Sequence, residues 1–325
     1  MTHLLVVHAG PATTVQDAGR LAWQHLGVAP AGFADRLLAA LGNALVDNPP
    51  DAAALEWTQH GDALQVVGGP VRVAVAAWVD VRVDGYPVPP FRSLRLQEGQ
   101  LLTVGPLLRG RHGVLAVAGG VQAPPVLGSR SVHARTGIGG ELLAPGDRVP
   151  VLADTQSTPD RSLPSELVPQ PQPLVRVLPG PQRALFQPDA LPTLLAHPWR
   201  VLAGDRMGLR LQGPPLPLLP GAEPISEGVV TGALQVPPSG QPIALGPDRQ
   251  TIGGYAKLAV VISADLRHLA QVRDGENLLF SLVDQLQAYE ALVAAQAELR
   301  SLLARIAAVH DVLAFESPRL LRLLS

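Results

Sequence analysis

Three stretches of this 325-residue chain gather residue types that could hold or transform a small polar ligand. The densest is Thr13-Thr14-Val15-Gln16-Asp17-Ala18-Gly19-Arg20, followed by Gly27-Val28-Ala29-Pro30-Ala31-Gly32 and Asp35. Gln16, Asp17 and Arg20 offer an amide, a carboxylate and a rigid guanidinium fork, while the glycines let the backbone approach a neighbouring group closely. Together they could hold an amide or a carboxylate. The same spacing equally allows an internal Asp17–Arg20 network that only fixes a turn, since ion-pair networks are often purely structural.

A second stretch is Gly204-Asp205-Arg206-Met207-Gly208-Leu209-Arg210, with Ser226-Glu227-Gly228-Val229-Val230-Thr231-Gly232 after it. The third, Gln235-Val236-Pro237-Pro238-Ser239-Gly240-Gln241-Pro242, leads into Asp248-Arg249-Gln250-Thr251-Ile252-Gly253-Gly254-Tyr255. Polar, glycine-bearing loops between apolar strands are what a binding site on a β-scaffold requires, because strands supply rigidity and loops carry the ligand groups. Ordinary turns share that composition, and sequence does not show whether the three stretches meet in space.

Several chemistries are excluded. There is no cysteine, so disulfides, zinc–thiolate sites and thiol nucleophiles are impossible. Lys257 is the only lysine, and Leu258 follows it, so no P-loop lysine exists to reach ATP phosphates. A Schiff base would have to use this same lysine, which at a strand entrance reads more simply as a stem covering apolar surface. The nine histidines form no His-Glu-x-x-His pair, and His3 and His8 fall on opposite faces of a strand, so no metal site is expected. Gly128-Ser129-Arg130-Ser131 offers hydroxyls, but no adjacent His–acid pattern makes it a serine nucleophile. A net charge of −2, with no block of like charges, lacks the footprint of a nucleic-acid binder.

The elements that must position these loops read as strands. With 32 Gly and 33 Pro the chain is broken often, and the segments between breaks are short and rich in Val and Leu. Expected strands are Leu4–Val7, Ala63–Val67, Val71–Ala77, Trp78–Val83, Leu94–Leu96, Leu101–Val104, Val114–Val117, Leu174–Val177, Trp199–Leu202, Gly208–Leu211, Ile243–Leu245 and Leu258–Ile262. Many are too apolar to alternate, which implies burial on both faces. A helix is expected from Phe33 to Leu45. A second, beginning near Ser281, places Leu282, Leu286, Tyr289, Val293, Leu299, Leu302, Leu303 and Ile306 on one face, to pack on the body or on a partner. Between residues 154 and 173 Ser, Thr, Pro and Gln replace the apolar pattern, which reads as a linker or surface loop. The expected division is therefore an N-terminal β-domain over 1–153, the linker over 154–173, a C-terminal β-domain over 174–280 and a helical extension over 281–325. The N-terminus lacks a signal-peptide pattern and no run approaches the ~18 apolar residues of a membrane span, so a cytoplasmic location is expected.

The ordered motifs also carry a family resemblance. The chain resembles the allophanate hydrolase subunit 2 family, also called the biotin-dependent carboxyltransferase-like family, from about Val6 to Phe280. Matching stretches include Thr13-Thr14-Val15-Gln16-Asp17 with Gly19-Arg20, Gly27-Val28 with Gly32 and Asp35, Leu55-Glu56, Ala116-Val117-Ala118-Gly119-Gly120 and Pro124-Pro125-Val126-Leu127-Gly128-Ser129-Arg130-Ser131. Asp205-Arg206-Met207-Gly208, Ser226-Glu227-Gly228, Gln235-Val236-Pro237 and Thr251 with Gly253-Gly254-Tyr255 complete it. The chain departs from the family pattern at Ala9-Gly10-Pro11, Ala31, Ala34, Ile252 and Ala256, and two of these changes remove hydroxyls from candidate site loops.

That resemblance implies a mainly β protein with two cyclophilin-like β-barrel domains, few helices and a C-terminal helix. It implies a non-ATP-binding subunit of a heteromeric 5-oxoprolinase, which opens 5-oxoproline to glutamate while ATP is used on a partner subunit. Partners would be a subunit 1 family protein (PxpB- or KipI-like) and a LamB/YcsF-type (PxpA-like) subunit, with no cofactor bound by this chain alone. Alternatives within the family are a KipA-like regulator that binds a kinase inhibitor, and the carboxyltransferase component of a biotin-dependent urea-type carboxylase. Gln16, Asp17, Arg206 and Glu227 would be catalytic, with Arg206 gripping a phosphorylated intermediate and Glu227 orienting water. Thr14, Arg20, Asp35, Gln235, Thr251, Gly253, Gly254 and Tyr255 would bind substrate.

Overall fold

The computed structural model describes residues 1–308 apart from 157 and 223. Antiparallel strands build its N-terminal half as two facing sheets. One runs, in spatial order, Arg148–Pro150, His3–His8, Ala63–Val67, Leu101–Leu107, Val79–Val83 and Tyr86–Val88. The other runs Thr13–Gln16, Ala54–Thr58, His112–Val117, Val71–Ala76 and Ser93–Leu96. Leu4, Val6, Leu55, Trp57, Val73, Val75, Leu102 and Leu115 fill the space between them.

The mainly apolar strands Val71–Ala76 and His112–Val117 are buried at every position, Arg72 and His112 included, as the lack of alternation predicts. Helix α1, Arg36–Leu45, covers their outer face, with Leu38, Leu41 and Leu45 packed over Ala74, Ala76, Val114 and Ala116. Small residues set that close approach, since a Cβ on Gly42 would lie 3.3 Å from the Ala76 Cβ. Burying each of the three leucines contributes about 1.5–3 kcal/mol. The helix starts later than its apolar spacing predicts because Asp35 caps it, its Oδ1 accepting from the Leu37 and Leu38 N–H groups at 3.0 and 3.2 Å.

The C-terminal half is a closed barrel of seven strands in the order Leu174–Pro179, Ala256–Val261, Ala233–Val236, Ile243–Leu245, Gly208–Gln212, Trp199–Asp205 and Asn277–Leu282. Parallel pairing of the last strand with the first closes the ring. Trp199, Val201, Leu211, Leu234, Val236, Leu258 and Phe280 form its core, together with Leu194 of α2 (Ala190–Ala196) and Leu269 of α3 (Leu266–Gln271). The chain is thus mainly β. Of the two barrels the resemblance implies, this one closes by hydrogen bonds, whereas the N-terminal one is two sheets folded about a shared core.

The segment 154–173 is fastened to both halves, with the Pro169 carbonyl accepting from Arg267 at 2.6 Å and the Gln172 N–H donating to His268 at 3.2 Å at its C-terminal end. Asp154 is buried against Arg72 and Arg95, both at 3.2 Å, Arg161–Ser162 pairs with Ala307–Ala308, and Leu163 and Val168 pack beside α1. Helix α4 spans Gln285–Ala304, not Ser281 onward, because Ser281 and Leu282 end the last barrel strand and Asp284 forms a capping box with Gln287. Its C-terminal turns pack Leu299, Leu302 and Leu303 toward α1. Leu286, Tyr289 and Val293 stay exposed, so the expected apolar face is only half used. The part of the expected 281–325 extension beyond residue 308 lies outside the described residues. Among the described residues no helix is long and apolar enough to cross a membrane.

Candidate functional site

The first predicted stretch folds into a knot at the edge of the N-terminal half. Gly19 and Gly32 both have φ of +88°, and a Cβ on Gly19 would lie 2.7 Å from the Pro30 carbonyl, so the two loops interlock only with glycine. Gln16, fully buried, donates to Thr14 Oγ1 and to the Val132 carbonyl, both at 2.8 Å, and accepts from the Gly32 N–H at 3.0 Å. Asp17 does not pair with Arg20. Its carboxylate accepts from Ser129 Oγ at 2.5 Å, Ser131 Oγ at 2.6 Å, the Arg130 N–H at 2.6 Å and the Gly19 N–H at 2.8 Å. Burial opposes its charge, but these four donors outweigh it and hold the Asp17 pKa below the usual carboxylate value. Arg20 turns instead to the carbonyls of Val126, Ser129 and Ser131, and among the described residues its Nη1 has no acceptor. Ser129 and Ser131 are therefore spent on a carboxylate rather than poised as nucleophiles.

The second stretch meets this knot through Arg206, which reaches from the barrel into the N-terminal half. Its guanidinium grips Asp248 with two bonds of 2.9 Å, donates to the Gly32 carbonyl at 2.6 Å and pairs with Glu56. Every donor nitrogen is thus engaged, and the free fork expected for a phosphate is not available. Burial disfavours the Arg206 charge, but Asp248 and Glu56 more than restore it and raise its pKa. Glu56 is the costly partner: burial pushes its pKa up to about 7, against the pull of Arg206 and of the Ala34 N–H at 2.8 Å. His112, buried close by, is pushed down to about 3 by burial and by the Arg206 and Arg111 charges, so it is neutral at physiological pH. Ala34 contributes through its backbone, so the side chain it lacks relative to the family pattern is not needed for this bond.

A second polar clasp joins the halves. Gln271 of α3 accepts from the Arg111 and His112 N–H groups at 2.8 and 3.0 Å and donates to Asp35 Oδ2 at 2.8 Å and the His112 carbonyl at 3.2 Å. Asp35 is therefore a cap and a clasp, wholly buried, and has no exposed surface to offer a substrate. Arg111 is spent on the carbonyls of Val272 and Gly204 and on Asp274.

The remaining predicted residues gather on the barrel. Glu227–Gly228 pairs with Ile252–Gly253, bringing Ser226, Glu227 and Tyr255 to the surface beside Gly253 and Gly254. Gln235, buried, accepts from Gln250 at 3.2 Å and donates to the Tyr255 carbonyl at 3.4 Å, and a Cβ on Gly253 would strike its amide at 2.4 Å. Lys257 sits directly across the strand pair from Gln235 and does not simply cover apolar surface. Its Nζ is buried, 2.7 Å from Glu227 Oε1, in an ionic contact without hydrogen-bond alignment. Thr251 is buried and offers its carbonyl to the Val229 N–H at 3.0 Å.

One segment links the two groups, with Asp248 on Arg206, Arg249 on Gln24, Gln250 on Gln235 and Gly253 opposite Glu227. The predicted loops therefore converge, but Gln16, Asp17, Arg20, Asp35 and Arg206 serve the frame, and Glu227 and Tyr255 face outward. Sequence reasoning missed Glu56, Asp248, Gln271 and the buried role of Lys257. Glu56 and Asp248 stand in matched or polar stretches, whereas Gln271 carries no signal at all. Between the halves lies a cavity of about 490 Å³, with Phe33, Leu37, Leu209, Leu266 and Leu299 among its walls and Arg206 and Arg249 on its polar side.

Comparison with known proteins agrees with this architecture. A family model described as "Carboxyltransferase domain, subdomain A and B" matches residues 26–282. The chain is 35% identical to the C-type subunit of 5-oxoprolinase from Escherichia coli over 301 residues, covering 91% of this chain and 96% of that one. It is also 35% identical to the corresponding 5-oxoprolinase subunit of Haemophilus influenzae over 277 residues, covering 83% and 88%. The crystal structure of TTHA0988 superposes with a TM-score of 0.78 at 37% identity, covering 86% of this chain. This chain spans 55% of that longer one. A Kluyveromyces lactis urea amidolyase shares the fold, with a TM-score of 0.83 at 23% identity, covering 95% of this chain and 21% of that one. With Arg206 and its partners, the Gln271 clasp and the closed barrel all inside the matched span, the chain belongs to the carboxyltransferase-domain family of subdomains A and B.

Proposed function

We propose that this chain is the C-type subunit of a 5-oxoprolinase, working with partner subunits to open the lactam of 5-oxoproline to glutamate. The observation that carries this reading is the identity to the E. coli protein, which extends over nearly the whole of both chains. A lactam carbonyl is a poor electrophile, and phosphorylating its oxygen with ATP lets water attack the ring carbon. Because the single lysine has no P-loop setting, ATP is assigned to a partner, a PxpB- or KipI-like subunit 1 protein, acting with a LamB/YcsF-type, PxpA-like subunit. Since Arg206, Asp17 and Gln16 are consumed by the frame and Gln235 is buried, the groups left to meet the ring are Glu227, Tyr255 and the Gly253–Gly254 backbone. Glu227, half-exposed and held by Lys257, is the carboxylate that would orient water.

The test is ATP-dependent glutamate formation from 5-oxoproline by the two partner subunits, with and without this chain. The expected result is turnover only in the complete mixture, and equal rates in both mixtures would defeat the reading. A carboxyltransferase role is the second reading, favoured by the family description and by 30% identity to a putative urea carboxylase of Emericella nidulans over 88% of this chain. It requires a biotin carrier, and carboxyl transfer from carboxybiotin to urea in place of lactam opening would establish it.

A further inference from the structure

The cavity between the halves has walls that are mostly apolar, and arginine dominates its charged lining. Arg36, Arg111, Arg206, Arg249 and Arg267 border it, against only Asp205 and Glu298. Two of these cations are already neutralised, Arg206 by Asp248 and Glu56, and Arg111 by Asp274. Arg249 is different. It is only 3% exposed, and its one hydrogen bond, 2.7 Å from Nη2 to Gln24 Oε1, is to a neutral amide. Among the described residues its Nε and Nη1 are buried without an acceptor, and no carboxylate lies within ion-pairing distance. Burial alone depresses its pKa, with nothing opposing the loss of solvation.

A buried guanidinium with idle donors is a costly arrangement unless an anion completes it. Gln24 also lines the cavity, so its bond fixes the guanidinium at the cavity wall. Asp248 is the adjacent residue, yet it is fully committed to Arg206 and cannot turn to Arg249. The space, about 490 Å³, falls in the range of small-molecule sites, whose few polar groups orient a ligand that apolar walls enclose.

We propose that the interdomain cavity is a binding site for a small organic carboxylate with an apolar body, in which Arg249 pairs with the carboxylate and Gln24 orients the guanidinium. The apolar lining from Phe33, Leu37, Leu209 and Leu266 selects against a bare inorganic anion, which would leave those walls unfilled. The site is distinct from the outward Glu227 face, and its test reads binding to this chain alone, so it stands or fails separately from the 5-oxoprolinase reading.

The experiment is calorimetric titration of the full chain with hexanoate, acetate, 5-oxoproline and inorganic phosphate, repeated on Arg249→Met and Gln24→Leu. The expected result is that hexanoate binds at least tenfold more tightly than acetate, 5-oxoproline or phosphate. Arg249→Met should weaken that binding tenfold or more and Gln24→Leu severalfold, with both variants retaining a cooperative melting transition. If Arg249→Met does not fold, Gln24→Leu, at a half-buried position, carries the test. Binding unchanged in the folded variants, preference for phosphate, or no binding by any carboxylate would each overturn the proposal.

Discussion

Glu56 gives the sharpest test of the charged seam between the halves. Its carboxyl has an ordinary value of 4.5 and is pushed up to about 7 by burial. A folded chain therefore holds the Glu56 proton across a pH range where the unfolded chain has released it. Stability from this group is fully present below pH 4.5 and is lost as pH rises through 7. With one pKa unit corresponding to about 1.4 kcal/mol, the loss between pH 5 and pH 8 is about 2–3 kcal/mol. Replacing Glu56 by Gln keeps the side chain's shape and removes the titration. Urea unfolding of the native chain and of Glu56→Gln, at half-unit steps from pH 5 to 8, isolates the group because the other titrations largely cancel in the difference. The native chain should lose about 2–3 kcal/mol relative to the variant over that range, with the steepest change midway between the two values, below pH 7, and a levelling-off as pH rises through 7. Two stability curves that run parallel within about 0.5 kcal/mol would show that Glu56 titrates normally in the folded chain and that the burial argument is wrong.

Three further outcomes follow from the same contacts. Gln271→Leu strips acceptors from the Arg111 and His112 N–H groups and a donor from Asp35, so it should destabilise by about 3 kcal/mol or more, read by denaturant titration. Asp17→Asn leaves the Ser129 and Ser131 hydroxyls and the Arg130 N–H on a weaker acceptor, so it should cost about 1.5–3 kcal/mol and speed proteolysis within residues 126–131. Glu227→Gln should destabilise more than Lys257→Met, by roughly 1–3 kcal/mol, because the first strands a buried ammonium and the second leaves a half-exposed carboxylate that water can solvate; equal melting temperatures would contradict this asymmetry.

The barrel and sheets were legible because their signal is local. Runs such as Val73–Ala76 and Val114–Val117 are apolar at every position, and both faces are in fact covered. Helix α4 was legible in type but not in extent, since Ser281 and Leu282 continue its apolar spacing while lying in a strand that closes the barrel. Spacing alone does not distinguish the two; the Asp284–Gln287 capping box does. The site was legible as loops and illegible as roles. Asp17 and Arg20, three residues apart, look like partners, yet each is satisfied by a segment more than 100 residues away, the loop carrying Ser129 and Ser131. Gln271 is the extreme case, because nothing around it in sequence marks a residue that makes four bonds across the seam.

The seam also explains why candidate residues that look catalytic turn out to be structural. An apolar seam would tolerate small rotations of one half against the other, whereas Arg206 with two carboxylates and Gln271 with four hydrogen bonds fix one arrangement, since any shift strands a buried charge or N–H. That arrangement holds Asp248 at the seam, its carboxylate on Arg206 and its carbonyl 3.1 Å from His133 Nε2, and the chain then runs directly from the seam through Arg249 and Gln250 to Gly253 and Tyr255. Arg249 at the cavity and Gly253 opposite Glu227 are thus one and five residues from a fixed point. Short, anchored segments of this kind hold ligand groups in place without further packing. A substitution at Arg206 should therefore disturb both the cavity and the Glu227 face together, while substitutions at Arg249 or Glu227 disturb one alone, and that difference separates a residue that builds the frame from one that meets a ligand.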